Sequence, residues 1–165
     1  MIYWFFGYPG VGKDYIAQKF AKVADVFYIN GDSLLLATEK KKIAAGTFTK
    51  QDRLKKLTRI AKYLKSLKKE SAITDSLPDS TSRNFLLKKF KKHIVFIRVT
   101  TSKTKHLSQI KNRKGHFFTH TLLDTYIQKN WESIGDFPHL SFRNEEKTPQ
   151  QLEKKLIAIY RKFSK

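Results

Sequence analysis

The sequence predicts an α/β domain in which a five-stranded parallel sheet carries helices on both faces. Short apolar runs alternate with helical patterns along the whole chain, which is the arrangement that strand–helix–strand units require. The first run, Met1 to Phe6, reads as a fully buried strand and halts at a glycine-rich turn that leads straight into a helix. The length of 165 residues, with 40% hydrophobic and 13% aromatic side chains, suits one compact domain covering residues 1–165. A chain of that size buries enough surface to need no covalent staples.

Each element has its own signal. After the first strand, Asp14 to Ala24 reads as a helix, and Val26 to Asn30 as a second short strand. Leu34 to Ala45 is helical and ends near Gly46, a plausible C-cap. Thr49 is an N-cap, with Asp52 three residues on. Leu54, Leu57, Ile60, Leu64 and Leu67 then recur at helical spacing. Ser71 to Thr74 is a brief strand, and Thr81 to Lys92 a helix with Phe85, Leu86 and Phe90 as its stripe. His93 to Val99 is the strongest strand signal, and Lys103 to Asn112 a basic helix. Residues 113–120 form an insert, and Thr121 to Ser133 is helical again. Leu140 to Phe142 is the fifth strand. Thr148 caps a last helix, with Pro149 at its first position and Gln151 completing a capping box. No linker, repeat or low-complexity tract divides the chain.

The turn after the first strand is Gly7-Tyr8-Pro9-Gly10-Val11-Gly12-Lys13-Asp14. Between a buried strand and a helix, this spacing is a P-loop. Its glycines let the backbone curl so that N–H groups converge on phosphate oxygens, and the helix N-terminus adds a positive dipole end. Gly7, Pro9, Gly10, Val11, Gly12, Lys13 and Asp14 are therefore candidate nucleotide-binding residues, with Lys13 reaching the outer phosphates. The residue after the lysine is usually Ser or Thr, whose hydroxyl ligates Mg²⁺. Asp14 either replaces it with a hard carboxylate ligand or turns away as a first-turn residue favoured by the helix dipole.

Composition excludes several classes. There is no cysteine, so disulfides and thiolate metal sites are out. The opening apolar run is too short for a signal peptide core or a membrane span, so a soluble, cytoplasmic protein without membrane attachment is expected. The formal net charge is +20, from 34 basic and 14 acidic residues. Nucleic acid is a partner that such a charge could serve. The bases are 27 Lys and 7 Arg, spread over every helix, whereas base-specific readers favour Arg. Solvated lysines are therefore the favoured reading.

The P-loop is followed by Asn30-Gly31-Asp32, Lys42-Ile43-Ala44-Ala45-Gly46, Asp52-Arg53, Arg113-Lys114-Gly115-His116-Phe117 and Leu122-Leu123-Asp124. In this order and spacing the chain resembles, over nearly its whole length, the gluconokinases, relatives of shikimate kinase and the nucleoside monophosphate kinases. The resemblance implies the three-layer αβα P-loop NTPase fold of the nucleoside monophosphate kinases, with a small lid at about residues 111–121. It implies an ATP- and Mg²⁺-dependent kinase for a small-molecule acceptor. By the resemblance Asp32 is the acid that takes the acceptor's proton, and Arg53 an anchor for an anionic acceptor. Arg113 and Lys114 close over the phosphates, and His116, Ser76 and Arg83 fall in the acceptor region. Asp75, at the end of the third strand, either helps hold Mg²⁺ with Asp14 or caps the loop to Thr81.

The acceptor positions depart from the family. Leu35 stands where gluconokinases place a histidine, Leu36 replaces a proline, Glu39 an asparagine and Tyr126 a glutamine. A Leu34-Leu35-Leu36 run cannot hydrogen-bond a polyhydroxy acid, so the expected pocket is more apolar than a gluconate site. Three functions are open at this point: a small-molecule kinase, a polynucleotide 5′-hydroxyl kinase on the same scaffold, and a nucleotide-binding protein without catalysis. The chain is expected to be a monomer or a homodimer.

Overall fold

The computed structural model describes residues 1–111, 125, 127–146 and 148–164. A five-stranded, all-parallel sheet runs in the order β2-β3-β1-β4-β5. Its strands are β1 (Ile2–Phe6), β2 (Phe27–Asn30), β3 (Ser71–Asp75), β4 (Ile94–Thr100) and β5 (Leu140–Arg143). The helices are α1 (Lys13–Ala24), α2 (Ala37–Ala44), α3 (Lys50–Leu67), α4 (Ser80–Phe90), α5 (Lys103–Lys111) and α6 (Pro149–Phe163).

Strand β1 lies at the centre, and all five of its residues are buried. Side chains alternate across a strand, so β1 feeds two cores. Tyr3 and Phe5 pack with Ile16, Phe20, Leu152 and Leu156 of α1 and α6. Ile2, Trp4 and Phe6 pack with Leu57, Ile60, Leu64 and Leu86 of α3 and α4. This two-sided burial is why the run reads as continuously apolar.

Local signals set the helix ends. Thr49 Oγ1 accepts from the Asp52 amide, and Asp52 Oδ2 accepts from the Thr49 amide, a reciprocal capping box. Thr148 Oγ1 accepts from the Gln151 amide ahead of Pro149. At the end of α2 the Thr47 amide bonds Lys42 O and the Gly46 amide bonds Ile43 O. Gly46 stands at φ 68°, which completes a Schellman C-cap.

The structure corrects five boundaries. Leu34 to Ala45 is not one helix: Gly31–Leu34 form a 3₁₀ turn, Leu35 and Leu36 are extended, and α2 begins at Ala37. Burial of Leu35 straightens the chain there, and Glu39 Oε2 reaches back to accept from the Leu36 amide. Helix α4 begins at Ser80, one residue earlier than expected, because the cap is Asp79. That helix ends at Phe90, and a 3₁₀ turn over Lys91–His93 delays β4 to Ile94. Residues 127–130 are helical, but the chain leaves the helix by Trp131, and the Glu132 amide bonds Pro78 O instead. Among the described residues no helix is long and apolar enough to cross a membrane.

Candidate functional site

The strands' carboxyl ends face a single crevice, where ligands of open α/β sheets bind. The loop from Gly7 to Gly12 curls there between β1 and α1. Gly12 precedes α1 at φ 84°, a left-handed conformation that only glycine adopts cheaply. A Cβ at Gly12 would also stand 2.5 Å from Asn144 Nδ2. Two outside groups hold the loop's carbonyls. Asn144 Nδ2 donates to Val11 O at 2.9 Å, and His106 Nε2 of α5 lies 2.8 Å from Pro9 O. Lys13 and Asp14 open α1, so their amides have no intrahelical acceptor. The result is a concave rim with free donors and a positive helix end, suited to polyphosphate.

Lys13 is buried at the start of α1, with Nζ 3.9 Å from Asp14 Oδ2. Asp14 does not turn away from the sheet: Thr74 Oγ1 donates to its Oδ1 at 2.7 Å, which draws the carboxylate toward the end of β3. The next residue, Asp75, is almost wholly buried.

Asp32 reaches the same crevice from β2. It lies in the 3₁₀ turn, its amide donating to Asn30 Oδ1 at 2.8 Å. Its carboxylate is not spent as a helix cap and is half exposed. A Cβ at Gly31 would fall on the Thr74 carbonyl oxygen and within 3.1 Å of Asp75 Oδ2. Glycine at that point is what lets Asp32 approach Asp75.

Lys56 of α3 joins the two acids. Its Nζ lies 2.7 Å from Asp75 Oδ2 and 3.2 Å from Asp32 Oδ1. The contact to Asp75 is a close, buried ion pair, so the Lys56 ammonium occupies that oxygen. Burial alone would raise the Asp75 carboxyl, but the Lys56 charge, aided by Arg53 and Lys13, outweighs it and holds the group below the usual carboxylate range. Burial would likewise lower the Lys56 ammonium, and Asp75 and Asp32 together push it up instead.

The side of the crevice where the resemblance puts an acceptor holds Arg53. Its Nη1 donates to Asp79 Oδ2 at 2.5 Å, and its guanidinium stands 5.7 Å from the Phe48 ring. Its Nη2 is buried and has no hydrogen-bond partner among the described residues. Asp79 also caps α4, accepting from the Ser82 amide and Oγ.

Arg83 departs from expectation. It does not stand free to face an acceptor: Nη1 donates to Leu77 O and Pro78 O, and Nη2 to Ser133 O. These bonds hold a loop in which Leu77 sits at φ 44°, a strained conformation for a branched residue. Ser76 is half-buried on the same loop, directly after Asp75. Arg113, Lys114, His116 and the rest of the expected lid lie outside the described residues, apart from Lys111 at its edge, and so does Tyr126.

Glu132 ties the segment beyond that region to the acceptor side. Its Oε1 pairs with Lys50 at 2.6 Å, and its Oε2 accepts from the Ser80 amide and hydroxyl at 2.7 and 2.6 Å. These bonds, Lys50 first, pull the Glu132 carboxyl down to about 2. A depressed carboxyl stabilises the fold above its ordinary value near 4.5 and loses that contribution as the pH falls toward about 2. Glu132→Gln should therefore melt below wild type at pH 6, and the gap should close by about pH 2. A gap independent of pH would assign the effect to shape instead of charge.

Sequence reasoning missed Lys56, Asp79, Asn144 and His106. Lys56 had a signal: with Arg53 and Ile60 it falls on the face that Leu57 and Leu64 make apolar, and charges there need partners. Asn144 and His106 had none, because their contacts join segments far apart in the chain.

Two groups of metal donors were expected, Asp14 and Asp75. Both are oxygen ligands of the hard type that Mg²⁺ takes, and Asp14 is a third exposed while Asp75 is held by Lys56. They fit Mg²⁺ as partial ligands. Among the described residues no group of three His, Cys, Asp or Glu side chains is placed to hold a metal ion.

Strand order, phosphate loop and acids at the strand ends together define the fold of the P-loop small-molecule kinases. Solved structures agree. A gluconokinase from Sinorhizobium meliloti 1021 superimposes with a TM-score of 0.80 at 20% identity, over 98% of this chain and 92% of that one. A shikimate kinase from Bacteroides thetaiotaomicron gives 0.69 at 16% identity, over 100% and 99%. The Mycobacterium tuberculosis APS kinase, in complex with AMPPNP and APS, gives 0.63 at 19% identity, over 95% and 96%. No protein-family model and no curated sequence matches the chain.

Proposed function

We propose that the protein is an ATP-dependent phosphotransferase that phosphorylates a hydroxyl of a small, anionic metabolite, in the manner of a gluconokinase. The observation that carries this reading is the convergence of Lys13, Asp32 and Asp75 in one crevice beside the phosphate loop. Phosphoryl transfer asks little covalent chemistry of the protein. It needs positioned phosphates, neutralised charge and one acid to orient the nucleophile.

The loop amides and Lys13 would hold the phosphates, with Arg113 closing over them from the lid. Bound Mg²⁺, reached by Asp14 and Asp75, would neutralise charge on the phosphate oxygens. The acceptor oxygen attacks the γ-phosphorus as the bond to the bridging oxygen of ADP breaks. Asp32 takes the acceptor's proton. Its half-exposed carboxylate faces the crevice, with only Lys56 paired to it among the described residues.

Arg53 supports an anionic acceptor, because its buried Nη2 has a donor to spare. Leu35 is buried and Leu36 exposed, and neither can hydrogen-bond a polyol, which supports an acceptor less rich in hydroxyls than gluconate. Ser76 and His116 are proposed to complete the acceptor site. The excess charge lies partly elsewhere: Lys65, Lys68, Lys69, Lys89 and His93 line a cavity at the strands' amino ends, opposite the phosphate loop. That placement supports a small acceptor over a nucleic-acid strand led to the loop.

The test is Asp32→Asn in a coupled assay with ATP, Mg²⁺ and a panel of sugar acids and related hydroxy acids. Turnover should fall by about 10²–10⁴-fold, the usual contribution of a positioned acid–base group. Stabilisation of the fold by an ATP analogue should persist. An unchanged rate would remove Asp32 from the chemistry, and a wild type that binds ATP but phosphorylates nothing would favour binding without catalysis.

A further inference from the structure

The roles above leave one charged group unused. Lys56 is the buried cation between Asp32 and Asp75, with a side chain only 5% exposed. It sits on the face of α3 that buries Leu57, Ile60 and Leu64. A lysine so placed persists only when its charge is matched, and two carboxylates from two different strand ends match it.

The charges facing this point are Asp75 and Asp32 on one side, with Lys56, Arg53 and Lys13 on the other. Asp14 stands beyond Thr74. Without Lys56, Asp32 and Asp75 would be two carboxylates close together with no cation between them. Two hard oxygen ligands so disposed are the start of a divalent-cation site. With Lys56 present, an ammonium fills that position.

We propose that Lys56 is a resident counter-ion: it positions Asp32 and keeps divalent cations off the Asp32–Asp75 pair, so that metal enters with a polyphosphate on the Asp14 and Asp75 side and Asp32 stays free to take a proton. The order of arrival, metal with nucleotide and not before it, rests on the kinase reading. The exclusion of bare metal does not. Lys56 touches no reacting atom in this scheme and acts through Asp32, so it is a positioning residue. The absence of any three-ligand cluster among the described residues fits the same picture.

The experiment is a titration of the full chain with Mn²⁺ alone, following free Mn²⁺ by electron paramagnetic resonance, with no nucleotide present. Wild type should bind no Mn²⁺ more tightly than the millimolar range. Lys56→Met should bind one Mn²⁺ at least about tenfold more tightly, since removing a nearby cation favours another in its place. Lys56→Arg should behave as wild type, and Lys56→Met with Asp32→Asn should lose the gain. A purely structural lysine would produce no gain of metal binding. Micromolar Mn²⁺ binding by wild type, or equal binding by wild type and Lys56→Met, overturns the proposal. If Lys56→Met does not fold, Lys56→Gln serves in its place under the same readout, and equal binding by it and wild type overturns the proposal. Because no ATP or acceptor is present, a negative result leaves the kinase reading standing, and failure to find a phosphorylated acceptor leaves this one standing.

Discussion

On the proposed function, Lys13→Ala should lower ATP-dependent phosphoryl transfer by at least about 10²–10³-fold, the scale of losing one preorganised group that stabilises transition-state charge. Lys13 is buried at the first position of α1, and its ammonium is held beside Asp14. Among the described residues the neighbouring cations are already engaged: Lys56 by Asp75 and Asp32, and Arg53 by Asp79. Removing Lys13 also leaves Asp14 and Asp75 less neutralised, which repels the incoming phosphates. The fold should survive, because the lysine's partners are crevice groups and not core. The measurement is turnover in the coupled assay, paired with thermal stabilisation by an ATP analogue, which should shrink in the variant. A variant that turns over like wild type would show that phosphates are held somewhere other than this loop.

The second large effect is on stability. Asp79→Ala should destabilise the fold by about 3–5 kcal/mol, the cost of leaving one half of a buried ion pair uncompensated. The pair is almost dry: the Arg53 and Asp79 side chains are 4% and 1% exposed. The same carboxylate caps α4 through Ser82, and losing a cap by itself costs about 1 kcal/mol. Urea denaturation followed by helical signal measures the loss. Arg53→Met combined with Asp79→Leu should recover most of it, since apolar residues of similar volume often replace a buried pair without penalty. A loss below about 1 kcal/mol in Asp79→Ala would mean that water reaches Arg53 and the site is more open than described.

The same arginine links stability to acceptor choice. One face of its fork is tied to Asp79, and the other nitrogen is left unpaired in a buried position. An anionic acceptor would supply the missing partner. On the proposed function, the buried charge would be held ready for a ligand at the expense of a fully satisfied core.

How much of this was legible beforehand differs by element. The phosphate loop was readable in full, because a P-loop is a local device: strand, turn and helix are contiguous, and backbone curl depends on glycines at fixed offsets. The caps at Thr49 and Thr148 were readable for the same reason. The helix expected from Leu34 was misread because Leu35 is buried by tertiary packing, which overrides helical propensity. Arg83 was assigned to the acceptor on resemblance, yet the structure binds its guanidinium to the Leu77, Pro78 and Ser133 carbonyls. Nothing in the local sequence marks that arginine as a brace.

By itself the sequence determined the α/β class, the glycine-rich loop between β1 and α1, and the places of Asp32 just after β2 and Asp75 at the end of β3. These follow from spacing along one short stretch at a time. Only the tertiary structure decided which charges meet: Lys56 between Asp32 and Asp75, Arg53 against Asp79, and Asn144 and His106 on the loop's carbonyls. Those contacts join residues tens of positions apart. Their existence depends on how parallel strands stack their carboxyl ends into one crevice, a geometry that no local pattern encodes.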